Sequence, residues 1–251
     1  MRRPEVQTFP DLEQLSIAAA KRFVDLARGQ VDKVGSFSAA LSGGSTSKRL
    51  YELLAAPPYS TQISWEDVHL FQVDERCVPP DDPQSNYRMI RESLLRHVPV
   101  PEMNFHRMAA EQADRSDAAT QYAAEIARIL PPDRHGLPRF DLMLLGMGSD
   151  GHTASLFPAS PALGEESLWV SPNFVQKLGM YRLTLTFPVL NAARQIVFLV
   201  SGAEKAETLR RVLQSDAGLE PLPAQRIRPF EGELSWFVDR AAARILEDQL
   251  G

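Results

Sequence analysis

Apolar residues near the amino end of the chain recur at helical spacing. They lie three or four residues apart, at Leu12, Leu15, Ala19, Phe23 and Leu26. This spacing places them on one stripe of a helix, which indicates an amphipathic helix with its apolar side against a core. Gly29 is the first glycine after the stripe, and we expect the helix to end near it.

Short apolar runs alternate with helical patterns along the rest of the chain. Strands are predicted at 37–41, 68–73, 140–145, 181–187 and 196–200, and the run 181–187 alternates apolar and polar residues as a half-exposed strand would. Helical patterns lie within 50–54, 89–95, 118–129 and 203–213. The alternation predicts an α/β fold with a mostly parallel, Rossmann-like sheet and helices on both faces. Because the proline-rich stretches 79–83 and 131–138 are short, we expect a single domain over 1–251.

Charge and composition exclude several classes of protein. The chain has 32 acidic and 27 basic residues, and a net charge of -5 disfavours binding to nucleic acid or anionic membranes. No apolar run approaches the roughly 20 residues of a membrane helix. Cys77 is the single cysteine, and the start MRRPEVQTFPDLEQ has no apolar signal segment. We therefore expect a cytoplasmic protein with a small-molecule partner, no nucleic acid and no membrane, and a monomer is among its possible states.

Polar segments follow four of the predicted strands. They are SGGSTS, DER, GMGSDGH and SGAEK. In open parallel sheets, ligands bind beyond the carboxyl ends of the strands. The four segments are therefore expected to meet in one site.

The segment SGGSTS has the composition of an anion cradle. Gly43 and Gly44 would let backbone amides approach an anion, and the helix that starts near Ser45 and Thr46 would add partial positive charge. An ordinary turn with Ser45 or Thr46 as N-cap is equally compatible with the pattern. The segment lacks the Gly-Lys-Ser/Thr ending of a P-loop, which disfavours nucleoside triphosphates.

The segment GMGSDG matches the dinucleotide pattern G-x-G-x-x-G, but its context is wrong. Pro158 and Pro161 leave room for only about two helical turns after the third glycine, which argues against a nicotinamide site. His152, which follows this turn, is a candidate general base, with Asp150 beside it. Helix capping by the same two residues is the structural alternative.

Charged residues near other strand ends are candidate ligands for an anion. Arg76, with Asp74, ends a buried strand, where an arginine binds a phosphate or carboxylate or else forms an internal salt bridge. Arg182 and Lys205 are further candidates, and solvated surface charges are the alternative for each. Cys77 is either a reactive thiol or a small buried side chain.

Two other kinds of site have weaker support. Ser42, Asp74 and His152 occur in the chain order of an α/β-hydrolase triad, but residues 40–44 lack the first glycine of the G-x-S-x-G elbow. The other histidines show no metal-ligand spacing. We expect no metal and no organic cofactor.

Taken together, several segments resemble the 6-phosphogluconolactonase family, in order and over residues 40–213. They are ALSGGSTSKRLYELLA, FQVDERCVPPDDPQSNYRM, DLMLLGMGSDGHTASLFP, RLTLTFPVLNAAR and SGAEKAETL. The resemblance implies hydrolysis of 6-phosphogluconolactone to 6-phosphogluconate in the oxidative pentose phosphate pathway, without a cofactor. It also implies a fold shared with glucosamine-6-phosphate deaminases. In that case His152 is the base that activates water, Arg76 lies in the active site, and the SGGST loop holds the phosphate with Arg182 and Lys205.

The residues suit this chemistry, and two rival functions fit them less well. Ester hydrolysis needs a positioned water, a base and charge stabilisation for the oxyanion, which Arg76 or backbone amides would supply. Asp150 would orient His152 or the water, and for Asp74 both chemistry and scaffolding are open. The deaminases resemble DGH-x-A-F-N-E-P, with a glutamate where this chain has Phe157. A sugar-phosphate-sensing regulator would need a basic helix-turn-helix module, for which the chain has no extra length.

Overall fold

Two β-sheets contain the strands of residues 4–214 and 220–247, the residues that this computed structural model describes. In chain order the strands are β1 (Glu5–Phe9), β2 (Phe37–Leu41), β3 (Val68–Gln72), β4 (Asp74–Arg76), β5 (Phe105–His106), β6 (Leu142–Gly146), β7 (Val170–Val175), β8 (Met180–Leu185), β9 (Gln195–Val200) and β10 (Glu233–Asp239). The α-helices are α1 (Leu12–Val34), α2 (Ser45–Leu54), α3 (Asn86–Ile90), α4 (Arg115–Ile129), α5 (Phe187–Ala192), α6 (Ala206–Gln214) and α7 (Arg240–Glu247). None of these helices combines the length and apolarity that a membrane crossing requires.

The main sheet is parallel throughout and is covered on both faces. Its strand order is β1-β10-β9-β6-β2-β3-β5. Successive residues of β6 show why its sequence is continuously apolar: Met143 and Leu145 join one core cluster, with α4, α6 and α7, whereas Leu142 and Leu144 join the other, with α1 and α2. The predicted α/β fold, with a mostly parallel central sheet and helices on both faces, is confirmed.

The first helix extends past its predicted end. Gly29 lies inside α1, where a glycine lowers helix stability by only about 1 kcal/mol relative to alanine and does not break the helix. The helix ends at Gly35, whose φ of 84° lies in the left-handed region. Its N–H donates to the carbonyl of Val31 at 2.8 Å. The sequence-based boundary was wrong because it took the first glycine as the cap.

A second, antiparallel sheet was not predicted. Its order is β4-β8-β7, so the run 68–73 ends as a main-sheet strand at Gln72 and the DER segment pairs elsewhere. The run 181–187 was correctly predicted to contain a strand, but the strand ends at Leu185 and the expectation that it is half-exposed was wrong. Arg182 and Thr184 are buried, because the polar side of β8 contributes to an internal site rather than to the surface, and Phe187 begins α5.

Candidate active site

A cavity of about 230 Å³ lies where the carboxyl ends of β2, β6 and β9 meet the small sheet. Most of the predicted site residues line it, namely Gly43, Gly44, Ser45, Thr46, Asp74, Arg76, His152, Arg182 and Lys205. Asp150 does not line it and instead contacts His152 from behind. The fold thus brings together residues from segments far apart in the chain, as expected for the carboxyl edge of a parallel sheet.

The glycine loop places the amino end of α2 at the cavity. The N-cap is Gly44, at a φ of 102°, so neither Ser45 nor Thr46 caps the helix as the alternative interpretation required. No side chain accepts a hydrogen bond from the first turn as a cap. At Gly43, a Cβ atom would lie 1.9 Å from Oδ1 of Asn86, so a larger residue there would displace the Asn86 side chain. The uncapped N–H groups and the helix dipole favour an anion at this point.

His152 is held by a carboxylate on one side and an aromatic ring on its face. Its Nδ1 lies 2.5 Å from Oδ1 of Asp150, and its ring stacks on Phe157 at 3.9 Å between centroids. Because an ionised carboxylate only accepts, Nδ1 carries a proton, and in the neutral form of the ring the lone pair is at Nε2. Gly148 permits this arrangement, since a Cβ there would lie 2.2 Å from the imidazole. This geometry therefore selects the tautomer that a general base requires.

Asp150 remains ionised although it is half-buried. Burial by itself raises its pKa, but the hydrogen bond and charge of His152, together with Lys177, hold the pKa of Asp150 well below its usual range. Nζ of Lys177 lies 3.1 Å from Oδ2 of Asp150. The carboxylate thus orients the imidazole and can stabilise the positive charge that forms when Nε2 takes a proton.

Two arginines lie side by side on neighbouring strands of the small sheet. Arg76 of β4 and Arg182 of β8 are directly paired in the antiparallel register, an arrangement that is destabilising for like charges. In each, the buried Nε has no hydrogen-bond partner among the described residues. Burial lowers the pKa of Arg182. The Asp74 carboxylate raises the pKa of Arg182, whereas the positive charge of Arg76 lowers it further. Such a pair is suited to an anionic ligand that supplies the missing acceptors.

The acidic residues of the DER segment hold the site together. Asp74 is buried and accepts from Oγ of Ser155 at 2.5 Å and from Nδ2 of Asn86 at 3.3 Å. Glu75 accepts from the backbone N–H groups of Arg76 and Asn86 at 2.7 and 2.8 Å. These contacts connect β4 to the start of α3 and to the loop that carries the imidazole. Both carboxylates are engaged in structure, which favours scaffolding for Asp74.

Lys205 contributes a further cation at the carboxyl end of β9. It lies in the 3-10 turn Ala203–Lys205, which precedes α6. Burial lowers the pKa of Lys205, and the carboxylates of Glu204 and Asp239 oppose that change. A cation that loses hydration by burial binds an entering anion strongly.

Arrangements that the sequence disfavours or leaves only as alternatives do not occur in the described residues. Ser42, Asp74 and His152 all line the cavity, but no hydrogen bond joins them, and Oγ of Ser42 pairs with Oγ of Ser47 at 3.0 Å. The glycine turn after β6 leads into an isolated bridge rather than an α-helix, which agrees with the sequence argument against a dinucleotide site. Burial raises the pKa of Cys77, which disfavours a reactive thiol. No cluster of three potential metal ligands occurs in residues 4–214 and 220–247.

Four residues of the site were not predicted from the sequence in these roles. They are Asn86, Ser155, Phe157 and Lys177. Asn86 and Ser155 stand inside the quoted motif segments, so their position was a signal, but their partners come from distant strands. Phe157 was noted only as the residue that replaces a glutamate. Lys177 lies in the short 3-10 turn Gln176–Leu178 between β7 and β8, whose sequence has no recognisable pattern.

Comparisons with known proteins agree on one family. The sequence profile described as glucosamine-6-phosphate isomerases/6-phosphogluconolactonase matches residues 10–236. A 6-phosphogluconolactonase of Synechocystis sp. is 44% identical over 214 residues, which cover 84% of this chain and 85% of that protein. One of Haemophilus influenzae is 37% identical over 207 residues, covering 82% and 86%. The solved structure of the 6-phosphogluconolactonase of Trypanosoma brucei matches with a TM-score of 0.88 and 30% identity, covering 98% of this chain and 100% of that one.

Proposed function

The chain belongs to the glucosamine-6-phosphate isomerase/6-phosphogluconolactonase family, and on this basis we propose that it hydrolyses 6-phospho-D-glucono-1,5-lactone to 6-phosphogluconate, a step of the oxidative pentose phosphate pathway. The observation that carries the proposal is the His152–Asp150 pair, which contacts a cavity lined by Arg76, Arg182 and Lys205. A histidine base beside several cations suits an anionic ester.

His152 acts as a general base. Its Nε2 takes a proton from a water molecule as the water oxygen attacks the lactone carbonyl, and Asp150 stabilises the imidazolium. The carbonyl oxygen becomes an oxyanion, for which Arg76 or backbone amides supply charge stabilisation. As the intermediate collapses, the ring C–O bond breaks, and the imidazolium returns its proton to the departing oxygen. The single product is the open-chain acid, in which the former ring oxygen is a hydroxyl group.

The phosphate anchors the substrate. We assign it to the amino end of α2, at Gly43 to Thr46, together with Arg182 and Lys205. The helix dipole, the uncapped N–H groups and the two cations, of which Arg182 is buried, all favour a phosphate. Binding energy from the phosphate positions the lactone carbonyl beside His152, and positioning of this kind contributes several kcal/mol, on the order of that from the base.

The mechanism uses no covalent nucleophile, metal or organic cofactor. A δ-lactone also hydrolyses in water unaided, so a base worth roughly 10²- to 10⁴-fold together with positioning is sufficient. The pairing of Ser42 with Ser47 supports a mechanism without a serine nucleophile, because the Ser42 hydroxyl has no base beside it. Three further properties also stay predictions. They are a single domain, a cytoplasmic location, and a small-molecule partner without nucleic acid or membrane. A monomer stays among the possible states.

The alternative in the same family is a glucosamine-6-phosphate deaminase. The deaminase pattern carries a glutamate where this chain has Phe157. In this structure the ring of Phe157 stacks on the imidazole and lies 5.4 Å from the Arg182 guanidinium. An apolar ring therefore stands in contact with the base where the deaminase pattern has the carboxylate, which supports the lactonase.

A coupled assay tests the proposal. Glucose-6-phosphate dehydrogenase generates the lactone in situ, and its loss is followed with and without the protein. We expect rapid loss of the phosphorylated lactone, slow loss of glucono-1,5-lactone and no ammonia release from glucosamine 6-phosphate. Lactone loss at the uncatalysed rate would refute the activity, and equal efficiency with the unphosphorylated lactone would refute the phosphate site.

A further inference from the structure

Ser155 lies at the contact between Asp74 and Arg182 and is completely buried. Its Oγ donates to Oδ2 of Asp74 at 2.5 Å and accepts from Nη1 of Arg182 at 3.4 Å. A hydroxyl can donate and accept at once, so it links the carboxylate to the guanidinium. The mechanism above gives this side chain no role.

The direct distance between the two charges is long for a buried ion pair. Nη1 of Arg182 lies 3.8 Å from Oδ2 of Asp74, whereas charge-assisted pairs of this kind close to about 2.7 to 2.9 Å. The hydroxyl of Ser155 donates to the same carboxylate oxygen, Oδ2 of Asp74, that faces the arginine. Meanwhile, Nε of Arg182 is buried without a partner among the described residues, and the residue lines the cavity. The guanidinium is therefore kept available to a ligand.

The backbone of Ser155 is anchored independently of its hydroxyl. Its N–H donates to Oγ1 of Thr184 at 3.2 Å, and its carbonyl accepts from Nδ2 of Asn173 at 2.7 Å. Both partners are completely buried. Removal of the hydroxyl should therefore leave the loop and the imidazole in place, while Oδ2 of Asp74 loses its donor and must find another.

We propose that Ser155 is a positioning residue that prevents Arg182 from closing onto Asp74 and so keeps the guanidinium open to the substrate phosphate. This rests on the proposed function, in which Arg182 contacts the phosphate. Without the hydroxyl, Arg182 is the nearest replacement donor. A movement of about 1 Å closes the ion pair and withdraws the guanidinium from the ligand, and a displacement of that size is enough to impair binding.

Calorimetric titration with 6-phosphogluconate and with gluconate tests the proposal without relying on turnover. We expect Ser155→Ala to weaken 6-phosphogluconate binding roughly 10- to 100-fold, as for loss of a charge-assisted hydrogen bond, and to change gluconate binding little. Adding Asp74→Asn to Ser155→Ala should restore most of the affinity, because the carboxylate that captures Arg182 is gone. In the coupled assay, Ser155→Ala should raise KM much more than it lowers kcat.

Ser160→Ala is the matched control. Its hydroxyl lies in the same loop but contacts the backbone of Phe157 and the amide of Asn173, not the arginine, so 6-phosphogluconate binding should be unchanged. Normal affinity in Ser155→Ala alongside weak binding in Arg182→Ala would overturn the inference and leave the phosphate site intact. Failure of Asp74→Asn to restore binding would also overturn it. Normal binding in Arg182→Ala would instead refute the phosphate contact, and the inference with it.

Discussion

Gly148→Ala should inactivate the protein while leaving it folded. The added Cβ would lie 2.2 Å from Nδ1 and Cε1 of His152 and 2.8 Å from Oδ1 of Asp150. Ordinary van der Waals contact begins at 3.4 Å, so the imidazole must retreat by about 1.2 Å. That retreat breaks the 2.5 Å hydrogen bond between the two side chains and displaces Nε2 from the attacking water.

The size of the effect follows from this displacement. A misplacement of about 1 Å costs on the order of 10²-fold in rate, or about 2.7 kcal/mol of activation free energy. The group that must move is the end of a side chain, so the unfolding free energy should fall by no more than the roughly 1 to 3 kcal/mol of an overpacked site. Turnover of the lactone and thermal unfolding measure the two effects separately.

Gly29→Ala is the control for the added methyl group. A Cβ at Gly29 meets no atom within 4 Å, and the residue lies in α1, where alanine is the better helix former. We expect unchanged turnover and equal or higher stability. Near-normal turnover in Gly148→Ala would show that the His152–Asp150 geometry is not needed for catalysis.

Three further changes test separate parts of the account. Lys205→Ala should mainly raise KM for the phosphorylated lactone, roughly 10-fold or more, since a charge-assisted phosphate contact is lost, and initial-rate kinetics measure it. Ser42→Ala should keep nearly full turnover because the hydroxyl only pairs with Ser47, and covalent labelling of Ser42 by a serine-hydrolase probe would contradict this. The hydrogen bond from Arg128, opposed by burial and aided by His106, lowers the pKa of Glu125 to about 2, against 4.5 for the free group. The stability that this ionised carboxylate contributes is therefore present above pH 4.5 and is lost as the pH falls toward 2. Glu125→Gln should lower the free energy of unfolding at neutral pH, and the difference from the unmodified protein should shrink between pH 4.5 and 2. Unfolding measured across this pH range tests the prediction.

The sequence predicted the main sheet well because its central strands are buried on both faces. Such strands form continuous apolar runs, as in β6 and β9, and glycine turns follow them. The small sheet was missed for the opposite reason. Its strand β4 has three residues, all charged, and becomes a strand only through pairing with β8. The boundary at Gly29 failed because helix packing outweighs the local cost of a glycine.

The candidate site was predictable as a cluster but not as a network. Strand direction alone implies that the segments of Gly43, Arg76 and His152 meet at one edge. Nothing local indicates that Ser155 separates Arg182 from an aspartate, because those partners are brought together by tertiary folding. The spacing of motifs along the sequence therefore identifies which residues belong to the site. Interatomic distances in the structure are needed to separate the residues that take part in the chemistry from those that position them.

The most direct test of the central claim is the turnover of His152→Gln in the coupled lactone assay, with thermal unfolding measured on the same sample. Glutamine keeps a polar side chain at this position but has no basic nitrogen. With water activated by His152, kcat should fall at least about 100-fold, the lower bound for a general base, while the protein stays folded. A folded variant with turnover within a few-fold of the unmodified protein would contradict the account.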